Sequence, residues 1–291
     1  MHDASAAESA RVLVLPDGRR LGYAEWGDPA GGPVVAFHGI PGSRLQRHPD
    51  EGIARGQRAR VLTVDRPGCG LSDPHPGAGL TAFARDVTAL LDALGVGPVR
   101  AVGISGGGPY TLAFAARAGE RVQRVALVSP VGPPGSMGRP MVWTARLGFS
   151  VAARAPRLLR PLLDPLARLG KAAPEVYIRA VASKLGVPDR DILLRPEVTA
   201  MFRDDLTEAF RAGCAGMLHD LALEARPWDF AVESVGAPVD LWHGEADRMV
   251  PPSASRALAG RLPRAVVTFL PGEGHFMVLD RWPEILERLL H

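Results

Sequence analysis

The sequence predicts an α/β fold in which a mostly parallel sheet is flanked by helices and carries an inserted helical lid. Two observations support this. Short β-rich runs alternate with helical patterns from Val12 to Val128, which is typical of a sheet covered on both faces. A long helical stretch then separates these runs from further strands. We therefore predict a core formed by residues 1–131 and 227–291, with a lid over 132–226.

The first predicted element is a hairpin. Val12–Leu15 and Leu21–Trp26 flank Pro16-Asp17-Gly18, which has the composition of a tight turn. Two short apolar runs follow, and each ends at a polar residue or a glycine, as strands do when a loop begins. These runs are Val34–Phe37 and Arg60–Val64.

An amphipathic helix is predicted over residues 80–94, because Leu80, Phe83 and Val87 recur at helical spacing. Gly95 follows this pattern and is a typical helix stop. The next predicted elements are a strand, a helix and a strand, at Val99–Ile104, Thr111–Ala118 and Arg124–Val128.

Residues 132–226 show only helical patterns, interrupted by prolines such as Pro156 and Pro174. Leucines beside arginines over 154–169 would also suit a helix lying on a membrane surface, but we favour a lid helix packed on the core. The remaining predicted elements are two strands and a final helix, at Val239–Trp242, Ala265–Leu270 and Pro283–Leu290.

Composition narrows the possible functions. The net charge is +3 and no run of five Lys or Arg occurs, so we expect no nucleic acid as a partner. No apolar run approaches the about 18 residues of a membrane span, and no secretory signal is seen over 1–11, which predicts a cytoplasmic protein. Cys69 and Cys214 lack metal spacing and are expected to be free thiols. No cofactor or metal motif is present, and the oligomeric state is left open.

Gly103-Ile-Ser105-Gly-Gly107 matches the G-x-S-x-G pattern. The segment lies between a predicted strand and a predicted helix, which is the context of a nucleophile elbow. The two outer glycines are expected where strand and helix approach closely. We therefore predict Ser105 as the nucleophile.

A serine hydroxyl is a weak nucleophile at neutral pH and needs a base. His275 follows the last predicted strand, whereas His243 ends a strand and is expected to be buried. The base needs an acid to fix its tautomer. Asp247 follows the penultimate strand and gives the chain order Ser, Asp, His, with Glu245 as its nearest rival. The histidines in polar or terminal segments are expected to be solvated: His2, His48, His75 and His291.

The predicted chemistry needs two backbone N–H donors for the oxyanion. One is expected from Gly106, directly after the nucleophile. The other is expected from Ile40, in the loop after the third strand, since Pro41 has no N–H. His38 is predicted to hold this loop by hydrogen bonds.

These motifs resemble those of the α/β-hydrolase superfamily, in the lidded branch that includes esterases, proline-iminopeptidase-like enzymes, epoxide hydrolases and dehalogenases. The resemblance implies a catalytic triad without a cofactor. Epoxide hydrolases and haloalkane dehalogenases carry Asp as nucleophile, so Ser105 argues against both activities. The matching segments are His38-Gly-Ile-Pro-Gly42, Asp65-Arg-Pro-Gly-Cys-Gly-Leu-Ser72, Gly103-Ile-Ser-Gly-Gly107, Gly244-Glu-Ala-Asp247 and Gly272-Glu-Gly-His275.

The leading functional hypothesis is a serine hydrolase that cleaves a carboxylic ester, or a similar acyl bond, of a small apolar substrate. A proline-iminopeptidase-like activity ranks lower, because such enzymes carry a Gly-Gly-x-Gly-type loop where this chain has His-Gly-Ile-Pro-Gly. A non-hydrolytic lyase, acyl-transfer or cyclisation enzyme, and a small-molecule receptor, stay open because fold does not decide among them.

Overall fold

The computed structural model describes residues 10–136 and 150–291. Its centre is an eight-stranded sheet. The strands are β1 (Arg11–Val14), β2 (Arg20–Gly27), β3 (Gly32–Phe37), β4 (Ala59–Val64), β5 (Val99–Ile104), β6 (Val122–Val128), β7 (Val239–Gly244) and β8 (Ala265–Leu270). Their order across the sheet is β1-β2-β4-β3-β5-β6-β7-β8. β2 runs antiparallel to both β1 and β4, and the other neighbouring strands are parallel.

Helices cover both faces of the sheet and form most of residues 160–224 in the connection between β6 and β7. Those associated with the sheet are α1 (Gly52–Gly56), α2 (Leu80–Ala93), α3 (Gly107–Ala118), α9 (Ser253–Ala259) and α10 (Val278–Leu290). Those between β6 and β7 are α4 (Arg160–Ala172), α5 (Pro174–Ala182), α6 (Val187–Leu193), α7 (Pro196–Ala209) and α8 (Ala215–Glu224). We call residues 150–226 the helical segment.

The sheet has a hydrophobic core on each face, because successive side chains of a strand point to opposite sides. In β3, Val35 and Phe37 pack with side chains of α2 and α3. Val34 and Ala36 face the other core, with α1, α10 and part of the helical segment. Both faces of the central strands are therefore buried, which explains their nearly continuous apolar sequence.

The final helix begins earlier than predicted. α10 starts at Val278, and Pro283 lies inside it, so the prediction of a start at Pro283 was wrong. Proline lacks the N–H that would bond the carbonyl four residues back, here that of Leu279. The imidazole Nε2 of His48 donates to this carbonyl at 2.9 Å. A side chain from a distant loop thus supplies the hydrogen bond that the proline removes.

The described part of the predicted lid, residues 132–136 and 150–226, contains helices and turns and no strand. Residues 137–149 of that prediction, and residues 1–9, lie outside the described ranges. α4 buries Leu163 and leaves Leu162 exposed, so one face of this helix packs on the protein. Among the described helices, none has the length and apolar character that crossing a bilayer would require.

Candidate active site

Ser105 lies directly after β5, at the carboxyl edge of the sheet. Its φ is 54°, a left-handed value that non-glycine residues rarely adopt. Its backbone is held on both sides: its N–H donates to the Val128 carbonyl at 2.9 Å, and its own carbonyl accepts the Gly108 N–H at 3.0 Å. This strained turn leads from the strand into α3, as expected for a nucleophile elbow.

Two glycines allow this turn. A Cβ on Gly103 would lie 2.2 Å from the hydroxyl oxygen of Thr111 in α3. A Cβ on Gly107 would lie 2.1 Å from the Phe37 carbonyl oxygen at the end of β3. Neither position has room for a larger residue, so the close approach that the sequence predicted at both glycines is confirmed.

His275 and Asp247 lie together after β8 and β7. The His275 Nδ1–H donates to Oδ2 of Asp247 at 2.7 Å, and the other carboxylate oxygen accepts the N–H groups of Met249 and Val250. Asp247 is buried, whereas its rival Glu245 is exposed. This geometry leaves His275 Nε2 as the ring nitrogen able to accept a proton.

The pKa values of the pair are shifted apart by their contact. Burial alone would raise the pKa of Asp247, but His275 and the surrounding hydrogen bonds hold it well below its usual range. Burial alone would lower the pKa of His275, but the Asp247 carboxylate outweighs this and raises it above 6.5. Asp247 is therefore ionised at neutral pH and stabilises an imidazolium.

His243 is fully buried, as the sequence predicted for this competitor. Its Nδ1 is 2.7 Å from the Ser255 hydroxyl, and its Nε2 donates to the Val250 carbonyl at 3.0 Å. Nε2 also lies 3.4 Å from Asp247 Oδ2. Both ring nitrogens are engaged, so His243 supports the acid side chain and has no free nitrogen for a substrate.

The two residues predicted to supply oxyanion donors are neighbours. A Cβ on Gly106 would lie 2.6 Å from side-chain carbons of Ile40, so the loop after β3 packs against the start of α3. Ile40 and Ser105 line the same cavity. Backbone N–H groups from the two elements therefore come from adjacent positions at one edge of the sheet.

His38 and Arg66 hold the loop after β3 from behind. The ring Nδ1 of His38 lies 2.9 Å from the Gly39 carbonyl. The buried Arg66 guanidinium donates to the carbonyls of His38 and Gly39. Burial and the Arg66 charge hold the pKa of His38 well below its usual value. The ring is therefore neutral, and its contact with the Gly39 carbonyl helps to hold the loop.

A cavity of about 270 Å³ opens beside Ser105 and His275. Its wall continues over the face of the sheet to Trp26 and Thr63, whose side chains hydrogen bond at 2.8 Å. The helical segment contributes a mostly apolar part of the wall: Tyr177, Ile178, Val181, Leu193, Met201, Phe202, Leu206 and Met217. The site thus combines a polar end at the sheet edge with an apolar body.

Comparison with known families agrees with this geometry. A sequence model described as the alpha/beta hydrolase fold matches residues 32–281. The chain belongs to the α/β-hydrolase fold family. The resemblance and the predicted α/β fold, a mostly parallel sheet flanked by helices, are therefore confirmed.

Two individual relatives of this α/β hydrolase match a smaller share of the chain than the family model does. A non-heme chloroperoxidase of Streptomyces lividans is 37% identical over 42% of this chain and 45% of its own length. A proline iminopeptidase of Xylella fastidiosa (strain 9a5c) is 33% identical over 40% of this chain and 38% of its own length. The chain thus spans less than half the length of these two relatives.

A crystal structure described as the enol-lactonase from Burkholderia xenovorans LB400 is similar over 96% of this chain and 99% of its own, with a TM-score of 0.70. Its sequence identity is 22%, so this likeness concerns the fold alone.

The part of the cavity lining formed by Arg47 and His48, here called the far wall, was not predicted from the sequence of this α/β hydrolase. His48 was predicted to be solvated, but it lines the cavity, and its two ring nitrogens contact the backbone of Asp50 and Leu279. Arg47 also lines the wall, with its guanidinium 4.0 Å from the Trp26 ring centroid. No local motif marks these residues, because the contacts of His48 with Leu279 and of Arg47 with Trp26 come from other elements of the chain.

Proposed function

We propose that the protein is a serine hydrolase that cleaves a carboxylic ester, or a similar acyl bond, of a small apolar substrate. The observation that carries the proposal is that Ser105 and His275 line one mostly apolar cavity while His275 is hydrogen-bonded to Asp247. A nucleophile, a base and an orienting acid in this relation are the requirements of acyl transfer through an acyl-serine.

In this mechanism Asp247 keeps the Nδ1 of His275 protonated, so that Nε2 takes the proton of the Ser105 hydroxyl. The serine oxygen attacks the carbonyl carbon of the substrate, and the N–H groups of Ile40 and Gly106 stabilise the oxyanion. The imidazolium then protonates the leaving alcohol. Water, activated by the same histidine, releases the acid and restores the serine.

Residues 132–226 would act as a lid on a core formed by residues 1–131 and 227–291. The support for this role is that eight residues of the helical segment line the cavity, so that a bound substrate would contact this segment. A cover of this kind excludes water from the acyl enzyme and selects substrates by shape.

The cavity favours an acyl substrate over an N-terminal peptide. Its volume of about 270 Å³ is just below the range of about 300–1,000 Å³ that is usual for ligand sites. An aminopeptidase needs a carboxylate available to the substrate ammonium. The acidic side chains on the described wall are Asp50 and Glu51, and both have partners: Asp50 accepts the Gly52 N–H at 2.8 Å, and Glu51 pairs with Arg47 at 3.3 Å.

The proposal is tested with a fluorophosphonate probe, a series of p-nitrophenyl esters and prolyl-p-nitroanilide. We expect one equivalent of label on the wild-type protein, no label on Ser105→Ala, and turnover of short apolar esters. Labelling of Ser105→Ala would exclude Ser105 as the nucleophile. A preference for prolyl-p-nitroanilide over all esters would instead favour the peptidase.

A further inference from the structure

Three aspartates of the helical segment are almost completely removed from solvent. The exposed fractions are 1% for Asp189, 0% for Asp205 and 1% for Asp220. Aspartate is rarely buried to this extent unless it is paired, because a carboxylate loses its hydration. Each of these side chains extends from a different helix to the sheet edge that carries the proposed catalytic residues.

Asp189, on α6, holds the residues on both sides of His275. Its carboxylate accepts the backbone N–H of Phe276 at 2.8 Å. It also packs on Gly274, where an added Cβ would lie 2.3 Å from the carboxylate. The backbone directly before and after the histidine is therefore fixed by one side chain of the helical segment.

Asp205, on α7, holds the loop after β3 in the same way. One carboxylate oxygen accepts the backbone N–H and the hydroxyl of Ser43, both at 2.7 Å. The other accepts the side-chain amide of Gln46 at 3.1 Å. The oxygen of the same amide accepts the Gly39 N–H at 2.6 Å. Asp205 thus fixes the loop on both sides of Ile40.

Asp220, on α8, acts through Arg66. Its carboxylate contacts the Arg66 guanidinium at 2.9 Å and accepts the Tyr110 hydroxyl at 2.6 Å. Arg66 in turn donates to the carbonyls of His38 and Gly39. The loop after β3 is therefore attached to two helices of the helical segment.

We propose that Asp189 and Asp205 are positioning residues, through which the helical segment fixes the base His275 and the oxyanion loop in their working arrangement. The segment would then be part of the catalytic apparatus as well as a cover. This inference rests on the proposed hydrolysis by Ser105. Neither carboxylate lines the cavity, so the two residues act on the loops and do not touch the substrate.

Each residue has a matched control on its own helix. Asp191 shares α6 with Asp189, and Asp204 is adjacent to Asp205 on α7, but both controls are exposed. We expect Asp189→Ala and Asp205→Ala to lower kcat on a p-nitrophenyl ester by about 10- to 100-fold, because small misplacements of reacting groups cost about this much. KM should change less than about threefold. Asp191→Ala and Asp204→Ala should match the wild type.

Asparagine variants distinguish an effect on positioning from an effect on folding. They also provide a test if the alanine variants do not fold. Asp189 accepts one backbone N–H, which an amide oxygen can also accept, so Asp189→Asn should recover kcat to within about threefold of wild type. Asp205 accepts three donors through both oxygens. Asp205→Asn places an NH₂ group against one of these donors, so its kcat should stay low.

The measurements are kcat, KM and the rate of fluorophosphonate labelling, taken well below each variant's Tm. If the variants have a lower Tm but the wild-type kcat, Asp189 and Asp205 have only a structural role and the proposal is overturned. Equal recovery by both asparagine variants would also overturn it. An inactive wild-type protein, or an active Ser105→Ala, would instead contradict the proposed function, so the two failures are distinguishable.

Discussion

The edge of the sheet and the helical segment hold polar groups in place by different means. At the sheet edge, Ser105 is fixed by backbone hydrogen bonds to the neighbouring strand and to its own turn. Residues of the helical segment act from far away in the chain: Asp189 is 87 residues from its partner Phe276, and Asp205 is 162 residues from Ser43. Backbone hydrogen bonds hold Ser105, whereas long-range side-chain hydrogen bonds from the helical segment hold the loops that carry His275 and Ile40.

This difference predicts two kinds of mutational effect. A group that only meets the substrate can be removed with little cost to folding, because no other part of the protein depends on it. A buried carboxylate that satisfies distant donors leaves those donors without a partner when it is removed. Substitutions at the sheet edge should therefore change activity, and substitutions in the helical segment should change stability as well.

The largest effect is expected at the sheet edge. Ser105→Ala removes the nucleophile and should lower kcat by about 10⁶-fold, since members of a triad act as a unit. The free energy of unfolding should change by less than about 1 kcal/mol. Kinetics on an activated ester and urea denaturation measure the two quantities. A stable variant that keeps most of its activity would contradict the assignment of the nucleophile.

The next effect distinguishes two carboxylates of one loop. Asp247→Asn should lower kcat by about 10⁴-fold, because the imidazole adopts the wrong tautomer. Glu245→Gln is the control and should stay near the wild type, because Glu245 is exposed. A near-normal Asp247→Asn beside an inactive Glu245→Gln would reverse the assignment.

The acid limb of the wild-type pH profile provides a further check on His275. Its pKa is raised above 6.5 by Asp247, and only the neutral ring accepts a proton. The kcat/KM should therefore fall as the pH drops through a value above 6.5. If the midpoint of this fall lies below pH 6.5, the base is not paired with Asp247.

A smaller effect is expected at the buried ion pair of the helical segment. Asp220→Ala leaves the Arg66 guanidinium, which is 0% exposed, without its carboxylate, and such a change typically costs about 3–5 kcal/mol of unfolding free energy. Asp204→Ala, at an exposed site, should cost less than about 0.5 kcal/mol. Urea denaturation of both variants gives the comparison. Equal losses would show that the pair contributes little.

The smallest effect is a pH dependence at Asp205. Burial raises the pKa of this carboxyl to about 7, so the ionised form that accepts the three donors costs more free energy in the folded chain than in the unfolded chain. The stability that protonation of Asp205 provides is complete below the unfolded value of 3.8 and is lost as the pH rises through about 7. Between pH 6 and 8 the loss should be about 1 kcal/mol. Asp205→Asn should reduce this part of the dependence, as measured by denaturation at several pH values.

The fold was predictable because most of its elements carry local signals. The strand at Val99–Ile104 and the strand at Ala265–Leu270 have the predicted bounds, and the helix predicted over 80–94 ends one residue earlier, at Ala93. The start of α10 was missed, because a proline normally begins a helix, and the His48 donor that replaces the hydrogen bond lost at Pro283 comes from a distant loop.

The candidate site was predictable where backbone geometry requires particular residues. Gly103 and Gly107 are needed at a tight turn, and this identifies Ser105 between them. Asp189 and Asp205 could not be recognised, because an aspartate in a helical pattern is usually a solvated surface residue. Only the packing of α6 and α7 on the sheet edge gives these two side chains their partners.

The hydrogen bond from His48 to the Leu279 carbonyl bears on attempts to redesign the substrate range. Pro283 has no N–H to donate to the Leu279 carbonyl, and the His48 ring donates to it instead. Moving or replacing His48 would therefore leave this carbonyl without a hydrogen bond. Enlargement of the cavity should therefore begin at large apolar side chains elsewhere on its lining, such as Trp282 and Met201. Shortening these residues creates space without removing a hydrogen bond, so that the far wall keeps its shape while the volume for an acyl chain increases.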